Sequence, residues 1–210
     1  CAMRDYGGFE GNAQTLRLLA RQEPYSDHYG LDLARRTLLG VLKYPAAYSQ
    51  VSREEWPDPP AHPNELKRKN WTPPKCYFDE DQEIVDWILD PLSKEDRDSF
   101  QALSRPPSAH KNGKTQHKSL DASIMDVADD IAYGVHDLED AITLDLIEKQ
   151  DLEEQIESAL DPDWGKEVGI SDPKSLAENL ARRGSRKQAV GKLVHAFLQS
   201  TYLTRRDTFE

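Results

Sequence analysis

Between residues 122 and 147 apolar side chains recur with a helical period for about seven turns, and no other feature of the chain restricts its folding as strongly. Ile124, Val127, Ala128, Ile131, Val135, Leu138 and Ile142 follow the i, i+3/i+4 rule throughout. With Ile124 at zero and about 100° per residue, residues 124, 128, 131, 135, 138 and 142 stay within about 40° of one line. Asp129, Tyr133 and Asp137 fall at about 140°, 180° and 220°, and Asp126, Asp130 and Asp140 share their hemisphere. Within this helix no Lys or Arg precedes Lys149, so none at i+4 dilutes these acids. Two readings stay open. Arg or Lys from a neighbouring element neutralises the face, or the carboxylates face a cation, with Tyr133 as an aromatic wall one turn beyond Asp129. Carboxylate oxygens suit hard divalent ions such as Mg²⁺ or Mn²⁺, but one carboxylate cannot hold a metal. His136 and Asp137 point about 100° apart and cannot chelate one ion together.

The remainder also reads as helix. Residues 9–22 place Phe9, Ala13, Leu16 and Ala20 on one stripe, and residues 31–43 do so with Leu31, Ala34, Leu38 and Leu42 before Pro45. Further helices fit 150–160, 174–183 and 186–203. Ten of the thirteen prolines lie between Pro45 and Pro107, which breaks that region into short pieces, because proline removes a backbone donor and biases its predecessor away from helix. One helix survives there. Asp79-Glu80-Asp81 opens a run with Ile84, Val85, Ile88 and Leu89 at helical spacing, and Pro91 stops it. No segment alternates with a period of two. The expected fold class is all-α.

A chain of 210 residues can bury a core without disulfide or metal staples. Its net charge of −11 argues against coating nucleic acid by bulk charge. No window approaches eighteen consecutive apolar residues, so no membrane helix is expected, and the N-terminus carries no apolar signal region. Cys1 and Cys76 lack metal-ligand spacing and suit a reduced, cytoplasmic setting. The missing initiator Met hints at a piece of a longer chain. Charge is uneven: residues 121–163 hold 15 acids and one base, whereas 164–210 hold nine bases and five acids, with Arg182, Arg183, Arg186 and Lys187 clustered. Such segments are solvated faces, pack on each other, or each meet a partner.

The segment Gly7-Gly8-Phe9-Glu10-Gly11-Asn12-Ala13-Gln14 leads a glycine pair into a helix with polar residues in its first turn. It reads as an ordinary helix start or as part of a ligand site. Arg35-Arg36, and Lys43-Tyr44 after the second helix, add cations that could approach a polyphosphate. A helix-end Lys is also an ordinary dipole partner.

Three blocks in this order resemble the deoxyguanosine triphosphate triphosphohydrolase family, the dNTP-hydrolysing branch of the HD-domain phosphohydrolases. They are Phe9-Glu10-Gly11-Asn12-Ala13-Gln14-Thr15-Leu16-Arg17, residues 36–45 (RTLLGVLKYP), and residues 123–140 (SIMDVADDIAYGVHDLED). They cover the first two-thirds of the chain. The resemblance implies a partial HD-type helical bundle with a proline-rich insertion, all one domain: substrate-side helices in 1–45, the insertion in 46–118, and helices in 119–210. It implies an enzyme that releases intact triphosphate from a deoxynucleoside triphosphate, dGTP favoured, with a divalent metal, most simply Mg²⁺ or Mn²⁺. Asp129 matches a metal ligand, Tyr133 a tyrosine packed on the deoxyribose, and Asp137 an aspartate on the 3′-hydroxyl. Lys43 and Tyr44 match a phosphate-binding pair, and Asn12 a substrate-proximal asparagine. The family's other metal ligands, one His and a His-Asp pair, and its catalytic His and Glu belong before Gly7-Gly8, where only six residues stand. The chain is therefore expected to be an internal fragment, inactive alone. Its partners would be the nucleotide substrate and further copies of the chain. Alternatives are an HD phosphohydrolase for another nucleotide or phosphoester, or a non-catalytic module that binds dNTPs or oligomerises.

Overall fold

The computed structural model describes Met3 and residues 8–204; Cys1, Gly7, Arg205 and Arg206 lie outside the described residues. The fold is mostly α, as expected, with one short two-stranded pair. Contacts divide the chain into two units, one running to Ile124 and one starting at Met125.

In the first unit, α1 (Gly11–Arg17) begins where the Glu10 side chain accepts the Ala13 N–H at 2.9 Å, and it continues as a π-helical stretch over Leu18–Gln22. The stripe read from the sequence holds at Ala13, Leu16 and Ala20, which are buried, but Phe9 is exposed. Widening to π geometry suits a docking loop. The Leu31 N–H donates to the Leu19 carbonyl at 2.9 Å, and Gly30 sits against the backbone of residues 19–21 with φ +57. The second helix, α2 (Arg35–Val41), is shorter than the 31–43 expected. Asp32 takes a left-handed φ of 51 and stops a helix from forming earlier, while Leu42 leaves helical geometry before Lys43-Tyr44-Pro45.

The proline-rich stretch is broken as expected, into α3 (Tyr48–Val51) and 3-10 turns at Pro63–Glu65 and Arg68–Trp71. The helix expected after residues 79–81 is α4 (Gln82–Leu89). Buried Asp81 ties it back to α1, with Arg17 Nε at 3.0 Å and Arg21 Nε at 3.1 Å. Two elements here escaped sequence reading. One is α5 (Lys94–Phe100), whose start is marked by Ser93 capping the Asp96 N–H. The other is the antiparallel pair β1 (Leu103–Arg105) and β2 (Lys114–Thr115), too short to show alternation. A parallel bridge joins the region to the end of α2: Tyr77 N–H donates to the Ala46 carbonyl and Tyr48 N–H to the Tyr77 carbonyl, each at 2.9 Å. The core forms where α1, α2 and α4 meet, around Leu16, Leu38, Leu42, Tyr77, Val85 and Leu89.

The long helix is α6 (Leu120–Thr143), and the unit boundary falls inside it. It ends short of residue 147 because Asp145 adopts φ 54 and the Leu146 N–H turns back to the Ala141 carbonyl. In the second unit, α7 (Lys149–Ala159), α8 (Pro162–Glu167), α9 (Pro173–Ala181) and α10 (Arg186–Gln199) follow. Both α8 and α9 start from an Asp-Pro pair. Asp161 accepts from the Asp163 and Trp164 N–H groups, Asp172 from Lys174 and Ser175, and the proline fills the first helical position. That signature could have disclosed α8, which sequence periodicity missed. Val135 and Ile142 of the α6 stripe are buried with Leu152, Leu176, Leu180 and Leu193, whereas Ile124, Val127 and Ala128 are exposed. The expected basic cluster is partly structural. Arg186 Nε donates to the Leu180 carbonyl at 2.8 Å and its Nη2 to that of Ala181, closing the C-terminus of α9.

Candidate functional site

Glu10 is the hub of the first group of site residues. Its carboxylate is 1% exposed, yet it is fully engaged. Oε2 accepts the Ala13 N–H, while Oε1 accepts from Asn12 Nδ2 at 2.8 Å and from Lys75 Nζ at 3.0 Å. A carboxylate buried without such partners would cost several kcal/mol, so this set fixes its own geometry. Lys75 stays half exposed, with its Nζ 5.7 Å from the centroid of the Tyr44 ring. Lys118 Nζ lies 5.6 Å from the same centroid. Of the residues singled out from sequence, Asn12 and Tyr44 are thus linked through Glu10 and Lys75. Lys43, adjacent to Tyr44 in the chain, is partly exposed at the end of α2.

Sequence reading missed Lys75 and Lys118. Lys75 arrives through the pairing of residue 77 with residues 46 and 48, which lays residues 74–77 beside the end of α2. Its neighbours Cys76 and Tyr77 are buried. Burial pushes the Cys76 thiol well above its ordinary range, with the Glu10 and Asp79 carboxylates adding to the effect. Burial likewise raises the Tyr77 phenol to about 12, partly offset by its hydrogen bond to Gln82 Oε1 at 2.7 Å.

The second group lies on α6 in the other unit. Asp129, Tyr133 and Asp137 follow one another at one-turn spacing on the helix, and all three are exposed, Tyr133 by 68%. Among the described residues, the side chains of Asp129, Asp130 and Asp137 form no hydrogen bond or ion pair, so the first of the two readings, a neutralising Arg or Lys from a neighbouring element, is not met at these three. His136 faces Glu139, with Nδ1 3.5 Å from Oε2, and does not pair with Asp137. Asp130 borders an apolar cleft of about 700 Å³ in this unit, lined in part by Val127, Ile131, Leu138 and Phe197; Asp129 does not.

Among the described residues, no three His, Cys, Asp or Glu side chains converge on a point where they could hold a metal ion. One exposed carboxylate is too few donors for Mg²⁺ or Mn²⁺. The donor set among the described residues therefore does not by itself fit a divalent metal centre. Among the described residues, no helix is long and apolar enough to cross a membrane.

No protein-family model matches the chain. Curated relatives do. A deoxyguanosinetriphosphate triphosphohydrolase-like protein of Vibrio parahaemolyticus is 45% identical over 205 residues, covering 94% of this chain and 46% of its own length. Proteins of the same name from Aliivibrio fischeri and Shewanella halifaxensis are 45% and 43% identical over 94% and 99% of the chain, and 45% and 47% of their own lengths. The chain spans about half the length of the curated relatives it matches. Identity at this level along nearly the whole chain goes beyond isolated motifs, and the chain is similar over its length to about half of a deoxyguanosinetriphosphate triphosphohydrolase-like protein.

Proposed function

We propose that this chain carries the substrate-binding part of an HD-type enzyme that hydrolyses deoxynucleoside triphosphates, dGTP above all, to a deoxynucleoside and inorganic triphosphate. The observation that carries this reading is the identity to the triphosphohydrolase-like relatives along 94% of the chain. The arrangement of side chains supports it. Lys43 and Tyr44 serve the phosphates, with cations clustered about Tyr44, and Asn12 lies close to the substrate. Tyr133 and Asp137 serve the sugar, and Asp129 is one ligand of a divalent metal, Mg²⁺ or Mn²⁺, whose other ligands lie outside these 210 residues. Preorganised cations stabilise charge on phosphoryl oxygens and act most strongly where water is excluded. Further copies of the chain are proposed as partners.

On this reading the 210-residue chain does not turn over dGTP. The assay is release of triphosphate from dGTP with Mn²⁺ or Mg²⁺, beside a full-length relative. Turnover by the 210 residues at the relative's rate would show that the missing ligands are not needed. A second reading, a non-catalytic module that binds dNTPs, is favoured by the lack of a metal-holding cluster among the described residues. It predicts that a full-length protein containing this segment binds dGTP without hydrolysing it.

A further inference from the structure

Among the described residues, Glu10 places a buried carboxylate against Lys75, one of the cations around Tyr44, and it poses a problem in electrostatics. A negative charge placed next to a seat for a polyanion opposes binding, unless it does something that outweighs the repulsion. Its geometry shows what that is. Glu10 takes one of the three donors of the Lys75 ammonium and one of the two Asn12 amide hydrogens, leaving the others for a ligand. Lysine loses more rotamer freedom on ordering than most side chains, and a lysine already ordered gives up less when a ligand arrives. Glu10 itself cannot drift, because its second oxygen is held by the Ala13 N–H at the start of α1.

We propose that Lys75 binds the anionic end of the ligand together with Lys43 and Tyr44, and that Glu10 is the positioning residue that holds Lys75 and Asn12 beside the Tyr44 ring. The ligand class is an inorganic or nucleotide-borne polyphosphate. This proposal rests on the reading that Lys43 and Tyr44 form a phosphate seat.

The test uses inorganic tripolyphosphate as the probe and isothermal titration of the 210-residue chain. Lys43→Met examines the seat itself, and Lys94→Met, whose ammonium pairs with Asp98, is the control. Lys75→Met is expected to weaken binding about tenfold, the scale of a charge-assisted contact. Glu10→Gln keeps an acceptor for the Ala13 N–H but not the charge that holds Lys75. Loss of a negative charge alone would tighten polyanion binding. The positioning role predicts the opposite, a weakening of about threefold from the ordering cost returned to one long side chain. Circular dichroism melting shows whether Glu10→Gln stays folded, and should it unfold, Lys75→Met decides. If Lys43→Met weakens binding while Lys75→Met matches the wild type, or Glu10→Gln binds more tightly, the proposal is overturned and the phosphate seat stands. If the wild type does not bind tripolyphosphate, or Lys43→Met binds it as well as Lys94→Met, the seat itself is wrong and the proposal falls with it.

Discussion

Lys75 Nζ stands 3.0 Å from Glu10 Oε1, a contact between residues 65 positions apart in the sequence. It joins the start of α1 to the segment that pairs with residues 46–48, so one buried carboxylate links Asn12 to the lysine beside Tyr44. A contact of this kind links a local event, the capping of a short helix, to the placing of a cation on a distant aromatic ring.

On α6, Asp129 and Asp130 are neighbours with different surroundings, and Asp130 alone borders the apolar cleft. In a full-length protein containing this segment, Asp129→Ala is expected to abolish dGTP hydrolysis and Asp130→Ala to reduce it far less. Steady-state rates for the two variants check the register; equal losses would show that the helix presents a different face to the substrate.

Tyr133 and Asp137 lie about 6 Å and 12 Å beyond Asp129 along the helix axis. An aromatic ring against C2′ leaves a 2′-hydroxyl unpaired, at about 1–3 kcal/mol, or roughly ten- to a hundredfold in discrimination. Tyr133→Ala should lower kcat/KM for dGTP while narrowing the gap to GTP, and Asp137→Ala should selectively slow substrates with a 3′-hydroxyl. Rates on dGTP, GTP and 2′,3′-dideoxy-GTP decide it, and unchanged ratios in both variants would remove the sugar-reading role.

Alkaline pH should loosen the first unit through Tyr77. Its folded value of about 12 lies above the ordinary 10.0, so the neutral phenol is favoured in the folded state. The stabilisation is complete below pH 10 and lost as the pH climbs from 10 towards 12, by about 1.4 kcal/mol per pH unit for one group. Urea midpoints between pH 9 and 12 should fall more gently in Tyr77→Phe than in the wild type, since that variant has no phenol to ionise. Parallel curves would assign the alkaline loss to other groups, of which Cys76 is the first to replace.

Gly30 combines φ +57 with close contact to the backbone of residues 19–21: a Cβ there would meet the Leu19 carbonyl oxygen at 2.4 Å and Ala20 C at 2.7 Å. Gly30→Ala should therefore destabilise the unit by about 1–3 kcal/mol or more, because neither the φ nor the contact can relax without undocking the loop from the π-helical turn. A urea midpoint within error of the wild type would show that the loop reseats at no cost.

Much of the architecture follows from local pattern. The periods of α1, α4, α6, α7, α9 and α10 are visible in the chain because each element answers to hydrophobic spacing and caps only a few residues away. The misplaced start of α2 has a non-local cause. Nothing within a turn of residue 31 tells that Asp32 adopts a left-handed φ, nor that the Gly30 loop docks on the carbonyl of Leu19. The apolar stripe of α6 was legible as a stripe. That it is buried at Val135 and Ile142 but exposed at Ile124 and Val127 depends on where other helices reach.

The same division holds for the site. The sequence by itself determined that Asp129, Tyr133 and Asp137 follow at one-turn spacing, because helical rise and rotation are constants of the backbone. It also singled out Asn12, Lys43 and Tyr44. It carried no sign of Lys75 or Lys118, or of Glu10 as the group joining Asn12 to Lys75. Only the tertiary structure decided those, through two backbone hydrogen bonds that pair residue 77 with residues 46 and 48 and one carboxylate that could be buried only with all its partners in place. Pairing between distant segments depends on the shape of the whole unit, and local spacing along a chain does not encode it.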